Sequence, residues 1–480
     1  MSGKNQNNLK LVALYHSVNI PSLWKDVRDA IAGNDMDFTS IRLSKAVFLL
    51  SVPMILEMVM ESTFAIFDIY FVSRLGADAV ATVGITESLM TIIYAIGFGL
   101  SIATTAIVSR RVGEKHRKDA SVAAFQAIVT GLFVSLFLSI PGIFFSRELL
   151  ALMGATESMI ETGYKYPMIM LSGNGIIMLL FIINAVFRSA GDAAISMRVL
   201  LLANLLNIIL DPILIFGWGP FPEMGIAGAA IATTIGRGIA VLYQFYILFR
   251  GKGRIQLIFR HLKISFSIIR KLIKLSLGGI GQNIIATSSW IFMVRIIAEF
   301  GSEVIAGYTI AIRIIIFSLL PSWGLANAAA TLVGQNLGAK KPHRAEKSVW
   351  TTGFANMILL GIFSLVFILK TEFFVGLFTT EPGVLEAGKD CLRIVSYGFL
   401  FYAMGMVMVQ AFNGAGDTTT PTWMNLVCFW MLEIPLAYLL AMKAGFEEQG
   451  VFIAIVIAES SLAILGMIMF RRGKWKLREV

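Results

Sequence analysis

The chain repeats itself at one fixed interval, and that interval limits its fold more than any other feature. Gly76 pairs with Gly301, Gly99 with Gly324, Gly113 with Gly338, Gly191 with Gly416 and Gly225 with Gly450, each at an offset of 225 residues. SAGD at 189–192 answers GAGD at 414–417, and RLGADAVATVG at 74–84 answers EFGSEVIAGYT at 299–309. Between these glycines lie apolar runs long enough to cross a bilayer, which takes about 20 residues each. They fall near 46–72, 79–107, 120–145, 162–187, 195–217, 225–249, 266–297, 303–333, 347–369, 389–413, 419–441 and 449–470. The expected fold is an all-α integral membrane protein of twelve transmembrane helices in two pseudo-twofold-related six-helix bundles. An even-numbered unit repeats without inverting, so the axis runs along the membrane normal.

Composition agrees. Residues of hydrophobic type make up 57% and charged residues 15% of the 480, against about 25% charged in soluble domains. Mean hydropathy is +0.77. The net charge of +10 would suit nucleic acid in a soluble chain. Here the basic residues gather in alternate links: Arg110, Arg111, Lys115, Arg117 and Lys118; a run from Arg250 to Lys274; Lys340, Lys341, Arg344 and Lys347; and the tail from Arg471 to Arg478. The positive-inside rule then places both termini in the cytoplasm of a plasma (inner) membrane protein, with the lipid bilayer rather than nucleic acid as partner. The implied organisation is a cytoplasmic leader (1–44), an N-lobe (45–249), a basic linker (250–264), a C-lobe (265–471) and a cytoplasmic tail (472–480). Trp24, Val27 and Ile31 allow a short surface helix in the leader. Cys391 and Cys428 read as free buried thiols. No Walker sequence and no histidine ligand pair occurs, so neither ATP drive nor enzymatic chemistry is expected, and no cofactor.

Acids at bilayer depth are costly, roughly 2.5–3.5 kcal/mol each on insertion scales, and mark function. Glu57, Glu61 and Asp68 lie in the first run, within about 40° of one another on a helical wheel. A shared wet cavity is one reading; snorkelling of Glu57 and Asp68 to opposite faces is the other. In the fifth run Asn204, Asn207 and Asp211 share one face, as a proton or sodium site or as polar glue between helices. At the repeat offset Asp68 becomes Met293 and Glu57 becomes Gln282, which places ion coupling in the first bundle. Arg313 and Glu433 sit deep in the second bundle, to pair with each other or touch substrate; Arg295 and Glu299 have ion-pair spacing.

These segments together resemble the multidrug and toxic compound extrusion (MATE) family, its DinF-like branch in particular. The residues that carry the likeness are FDIYFVSRLGADAVATVG (67–84), FRSAGD (187–192), LDPILIFGWG (210–219), GIAGAAIAT (225–233), LANAAATLVGQNLGAKKPHRAEKS (325–348) and FNGAGDTTTP (412–421), within about residues 45–470. The resemblance implies secondary active efflux of small organic cations or amphipathic drugs, by alternating access of two lobes in a monomer, coupled to H⁺ or Na⁺. It implies an N-lobe cation or proton site at Asp68, Asn207, Asp211 and Thr233, with sodium, if used, at Asp68, Asn207 and Asp211. A glutamate of the seventh span, typical of the NorM-like branch, is replaced by Ala286. A lipid-linked saccharide flippase of the same superfamily is the alternative.

Overall fold

The computed structural model describes residues 20–33, 36–251, 253–258 and 262–480. The first 19 residues of the leader, and the linker positions Lys252, Arg260 and His261, lie outside them. A short helix α1 (Ile20–Ala32) precedes the first span and leaves Trp24 exposed. The N-lobe follows: α2 (Leu43–Ser73), α3 (Ala77–Gly113), α4 (Arg117–Phe144), the consecutive pair α5 (Lys165–Ser172) and α6 (Asn174–Ala190), α7 (Ala193–Phe216) and α8 (Ile226–Arg250). The C-lobe repeats the order: α9 (Phe266–Ile297), α10 (Ser302–Gly338), α11 (Pro342–Gly376), the pair α12 (Pro382–Tyr397) and α13 (Phe399–Ala415), α14 (Thr419–Lys443) and α15 (Glu447–Arg471). Ten helices are long and apolar enough to span, and each bent pair supplies one more, giving the twelve-span fold. No strand occurs among the described residues.

The fourth and tenth spans are broken where the apolar runs looked continuous. The bends, 41° and 58°, fall at Gly173 and Gly398, which are again 225 residues apart. Both broken spans close identically. Gly191 and Gly416 adopt left-handed backbone at φ +93° and +84°. The amide of Asp192 then reaches the carbonyl of Phe187 at 2.8 Å, and that of Asp417 reaches Phe412 at 2.9 Å, the glycine-closed helix end that satisfies late carbonyls. The helices α3 and α10 outrun their apolar windows, to Gly113 and Gly338. Their last turns carry polar side chains but keep helical hydrogen bonding.

Glycine also sets how closely the lobes approach. A Cβ on Gly99 would lie 2.7 Å from the Ser276 carbonyl of α9, and one on its repeat-mate Gly324 would lie 2.6 Å from the Met54 carbonyl of α2. Lower on the same helices, a Cβ on Gly113 would overlap the Gln335 carbonyl and one on Gly338 the Arg110 carbonyl. Phe98 and Trp323, repeat-mates too, meet across the interface with ring centroids 6.5 Å apart.

The face carrying both termini is sealed by them. Before α2, the chain offers carbonyls of Phe38 and Ile41 to Arg344 and of Thr39 to Lys341, both basic groups of the C-lobe. After α15, the tail offers the Arg478 carbonyl to Arg110 and the Val480 carbonyl to Arg111, both of the N-lobe. Each terminus thus crosses to the lobe it does not belong to. Trp475 anchors the tail, fully buried and stacked on Phe470 at 4.5 Å.

Candidate functional site

The N-lobe brings α2, α7 and α8 together. At their junction Asn207 donates its amide to Asp211 Oδ1 and to Thr233 Oγ1, each at 3.2 Å. The two residues on α7 are one turn apart, so the helix itself sets the first contact. Gly236 sets the second: its missing side chain lets α8 lie against the Ala203 carbonyl of α7. Asp68 approaches from α2, 9% exposed, near enough for its charge to act on Asp211, which is fully buried. Pro212 follows Asp211 and supplies no amide hydrogen to the preceding turn.

Three oxygens in this junction have no hydrogen-bond partner: Asp68 Oδ1, Asn207 Oδ1 and Asp211 Oδ2. Buried acceptors are nearly always satisfied. Two carboxylates and an amide oxygen left facing one spot form a hard-oxygen set that suits a proton or a small hard cation. Among the described residues no cluster of three His, Cys, Asp or Glu side chains exists, so a transition-metal centre is not what this chemistry builds. At the repeat offset the four positions become Met293, Leu432, Leu436 and Ala458, all apolar.

The other first-span acids do not join this site. Glu57, 2% exposed, accepts from Arg188 Nη1 at 2.5 Å and from Asn184 Nδ2 at 3.2 Å, both on α6. Glu61 pairs with Arg237 of α8 at 3.3 Å, and that guanidinium also lies 4.6 Å over the Phe64 ring. The expectation of one wet stripe is corrected: residues on one azimuth but about 16 Å apart along the axis meet different partner helices. Asn204 is a tie rather than a ligand, donating to the Met60 carbonyl of α2 at 2.6 Å.

In the C-lobe, Gln282 and Asn413 exchange amide hydrogen bonds at 3.0 and 3.1 Å. They stand at the repeat offset from Glu57 and Arg188, so a neutral pair replaces an ionic one at the same joint. Arg313 and Glu433 do not pair. Glu433, 3% exposed, accepts from Ser289 Oγ at 2.5 Å, and Arg313 is exposed. Arg295 and Glu299 form the ion pair their spacing predicted. Arg188 and Arg237 are the partners that sequence reasoning missed. For Arg188 a signal existed, since both members of its pair change together at the repeat offset.

The MatE family model matches residues 53–213 and 280–439, about two thirds of the chain. The chain belongs to the MatE family. Its members are membrane transporters and not enzymes. A probable multidrug resistance protein, NorM, of Thermotoga maritima is 26% identical over 444 residues, covering 91% of this chain and 94% of the relative. The multidrug export protein MepA of Staphylococcus aureus is 24% identical, covering 88% and 93%. A FAD transporter of Shewanella oneidensis is 25% identical, covering 88% and 94%. Among solved structures, the outward-facing conformation of a multidrug resistance MATE transporter matches with TM-score 0.85 at 24% identity, over 92% of this chain and 98% of that one. A Pyrococcus furiosus transporter of the MOP superfamily, described as having a binding pocket of reverse polarity, also scores 0.85 at 23% identity, over 95% and 99%.

Proposed function

We propose that this MatE transporter is a secondary active exporter of cationic or amphipathic organic compounds, driven by inward movement of H⁺ or Na⁺ through the N-lobe junction. The observation that carries the reading is the trio of unpartnered oxygens on Asp68, Asn207 and Asp211. An ion entering there neutralises two neighbouring carboxylates and changes how α2 packs on α7 and α8. Only an ion that binds one lobe arrangement better than the other shifts the balance between them. The relatives named as multidrug resistance and export proteins support the cargo class, and none of those reported above is a flippase.

In this reading both termini lie in the cytoplasm of a plasma (inner) membrane protein that works as a monomer. The sealed face, bridged by both termini, is then the cytoplasmic side of an outward-open state. Proteoliposome efflux of ethidium, with pH and sodium gradients imposed separately, tests the proposal. One gradient drives efflux in wild-type protein. Asp68→Asn and Asp211→Asn each abolish that drive while the purified protein keeps its wild-type melting temperature within about 5 °C. Gradient-driven transport retained in both variants refutes the site.

A further inference from the structure

Above Phe98 and Trp323 the lobes separate, and each presents one charge that nothing in the structure answers. On α10, the face that sends Trp323 to Phe98 and Gly324 to the α2 backbone is the N-lobe-facing side. At 100° per residue Arg313 lies within about 80° of Trp323 and about 20° of Gly324, ten to eleven residues nearer the start of the helix. Arg313 therefore looks into the space between the lobes, about 15 Å above the Phe98–Trp323 floor. On α3, Glu87 lies within about 20° of Phe98 by the same count, about 16 Å above it. Both residues are exposed. Among the described residues neither the Arg313 guanidinium nor the Glu87 carboxylate makes a hydrogen bond or ion pair. At the repeat offset Glu87 corresponds to Ile312, beside Arg313, so the two walls carry opposite charges at one depth.

A lone arginine held about 16 Å along a spanning helix is expensive unless it meets water and an anionic group. Its planar fork suits a carboxylate. We infer that the cleft binds cargo carrying both signs, with an anionic group on Arg313 and a cationic group towards Glu87, so that zwitterions rather than simple cations are the preferred substrate class. The inference rests on the export reading above and names its cargo. The charges do different work: the N-lobe wall admits any organic cation, and Arg313 selects those that also bear a carboxylate.

The test uses three probes in proteoliposomes of the full chain: norfloxacin (ammonium and carboxylate), its methyl ester and ethidium. In wild-type protein, esterification lowers kcat/KM about tenfold or more, through KM. In Arg313→Gln, norfloxacin falls by the same factor and esterification costs nothing further, so the two losses are not additive. Arg313→Lys, which keeps the charge, restores most of the discrimination. The wild-type ester comparison needs no variant and stands even where Arg313→Gln expresses poorly. Wild-type protein that exports ethidium yet handles norfloxacin and its ester within about twofold overturns this inference and leaves export intact. Additive losses in the variant also overturn it. Wild-type protein that moves none of the three removes the export reading and this inference together.

Discussion

The Glu57–Arg188 joint offers a quantitative check on the architecture that needs no transport assay. Glu57 is 2% exposed and Arg188 13%, so removing either partner strands a charge among apolar helices. Breaking a buried pair in this way costs about 3–5 kcal/mol. The C-lobe shows what the same joint tolerates, because Gln282 and Asn413 bond reciprocally at 3.0 and 3.1 Å in the matching place. Transplanting that solution gives Glu57→Gln with Arg188→Asn. Asn184, 3.2 Å from Glu57 Oε1, remains to donate to the new amide. Each single variant should therefore lose about 3–5 kcal/mol, and the double about 1–2 kcal/mol. For a cooperative unit the size of one lobe, 1 kcal/mol moves Tm by about 2–4 °C. The singles should melt about 6–20 °C below wild type and the double about 2–8 °C below. Fluorescence melting in detergent at one fixed scan rate reads this, the fixed rate being needed because unfolding of such proteins is irreversible. A double variant melting no higher than the worse single would refute the claim that the two joints are equivalent. A single variant within about 2 °C of wild type would refute the claim that the pair stabilises the fold.

Gly324→Ala places a Cβ 2.6 Å from the Met54 carbonyl, so the lobes must part by most of an ångström; we expect a loss of about 1–3 kcal/mol and faster maleimide labelling of a cysteine placed at Ser109, with unchanged labelling counting against tight closure there. Trp475→Ala removes a fully buried ring stacked on Phe470; it should cost about 3–5 kcal/mol if the tail is integral to the fold, and a melt within about 2 °C of wild type would show that the tail merely rests on the surface.

The parts of this molecule visible in the sequence are those encoded by local pattern. Apolar run length gave the number of spans, because a bilayer fixes how many residues a helix needs. It missed the true ends of α3 and α10, since hydropathy records apolar character and the helices continue through Arg110, Arg111 and Asn336. The bends at Gly173 and Gly398 were hidden because a glycine in an apolar run reads as neutral; only their shared offset marks them. The residues of the N-lobe junction came from resemblance, and the structure shows Asn207, Asp211 and Thr233 directly bonded. The fate of Glu57 and Glu61 was not legible. Their azimuth is a property of one helix, whereas Arg188 and Arg237 arrive from helices more than 100 residues away. Azimuth says which way a side chain points, and only the packing of other helices says what it meets.

The repeat and its failure lead to a prediction about energetics. Backbone devices recur at the offset: the close-approach glycines, the bends and the helix ends. The oxygen set at Asp68, Asn207, Asp211 and Thr233 does not, being replaced by Met293, Leu432, Leu436 and Ala458. On the export reading, one such set takes one monovalent ion per cycle. Exchange of one inward H⁺ or Na⁺ for one outward monocation moves no net charge, so a membrane potential adds nothing to ethidium export. Exchange of the same ion for a zwitterion carries one positive charge inward, and the potential then contributes about 2.3 kcal/mol per 100 mV. At about 1.4 kcal/mol per decade, that raises the limiting norfloxacin gradient by roughly fortyfold while leaving the ethidium limit where it was. Clamping proteoliposomes at zero and at −100 mV with valinomycin and potassium, and reading the steady-state gradient of each probe, measures the difference. Equal responses of the two probes to voltage would refute a single coupling ion paired with cargo of two charge types.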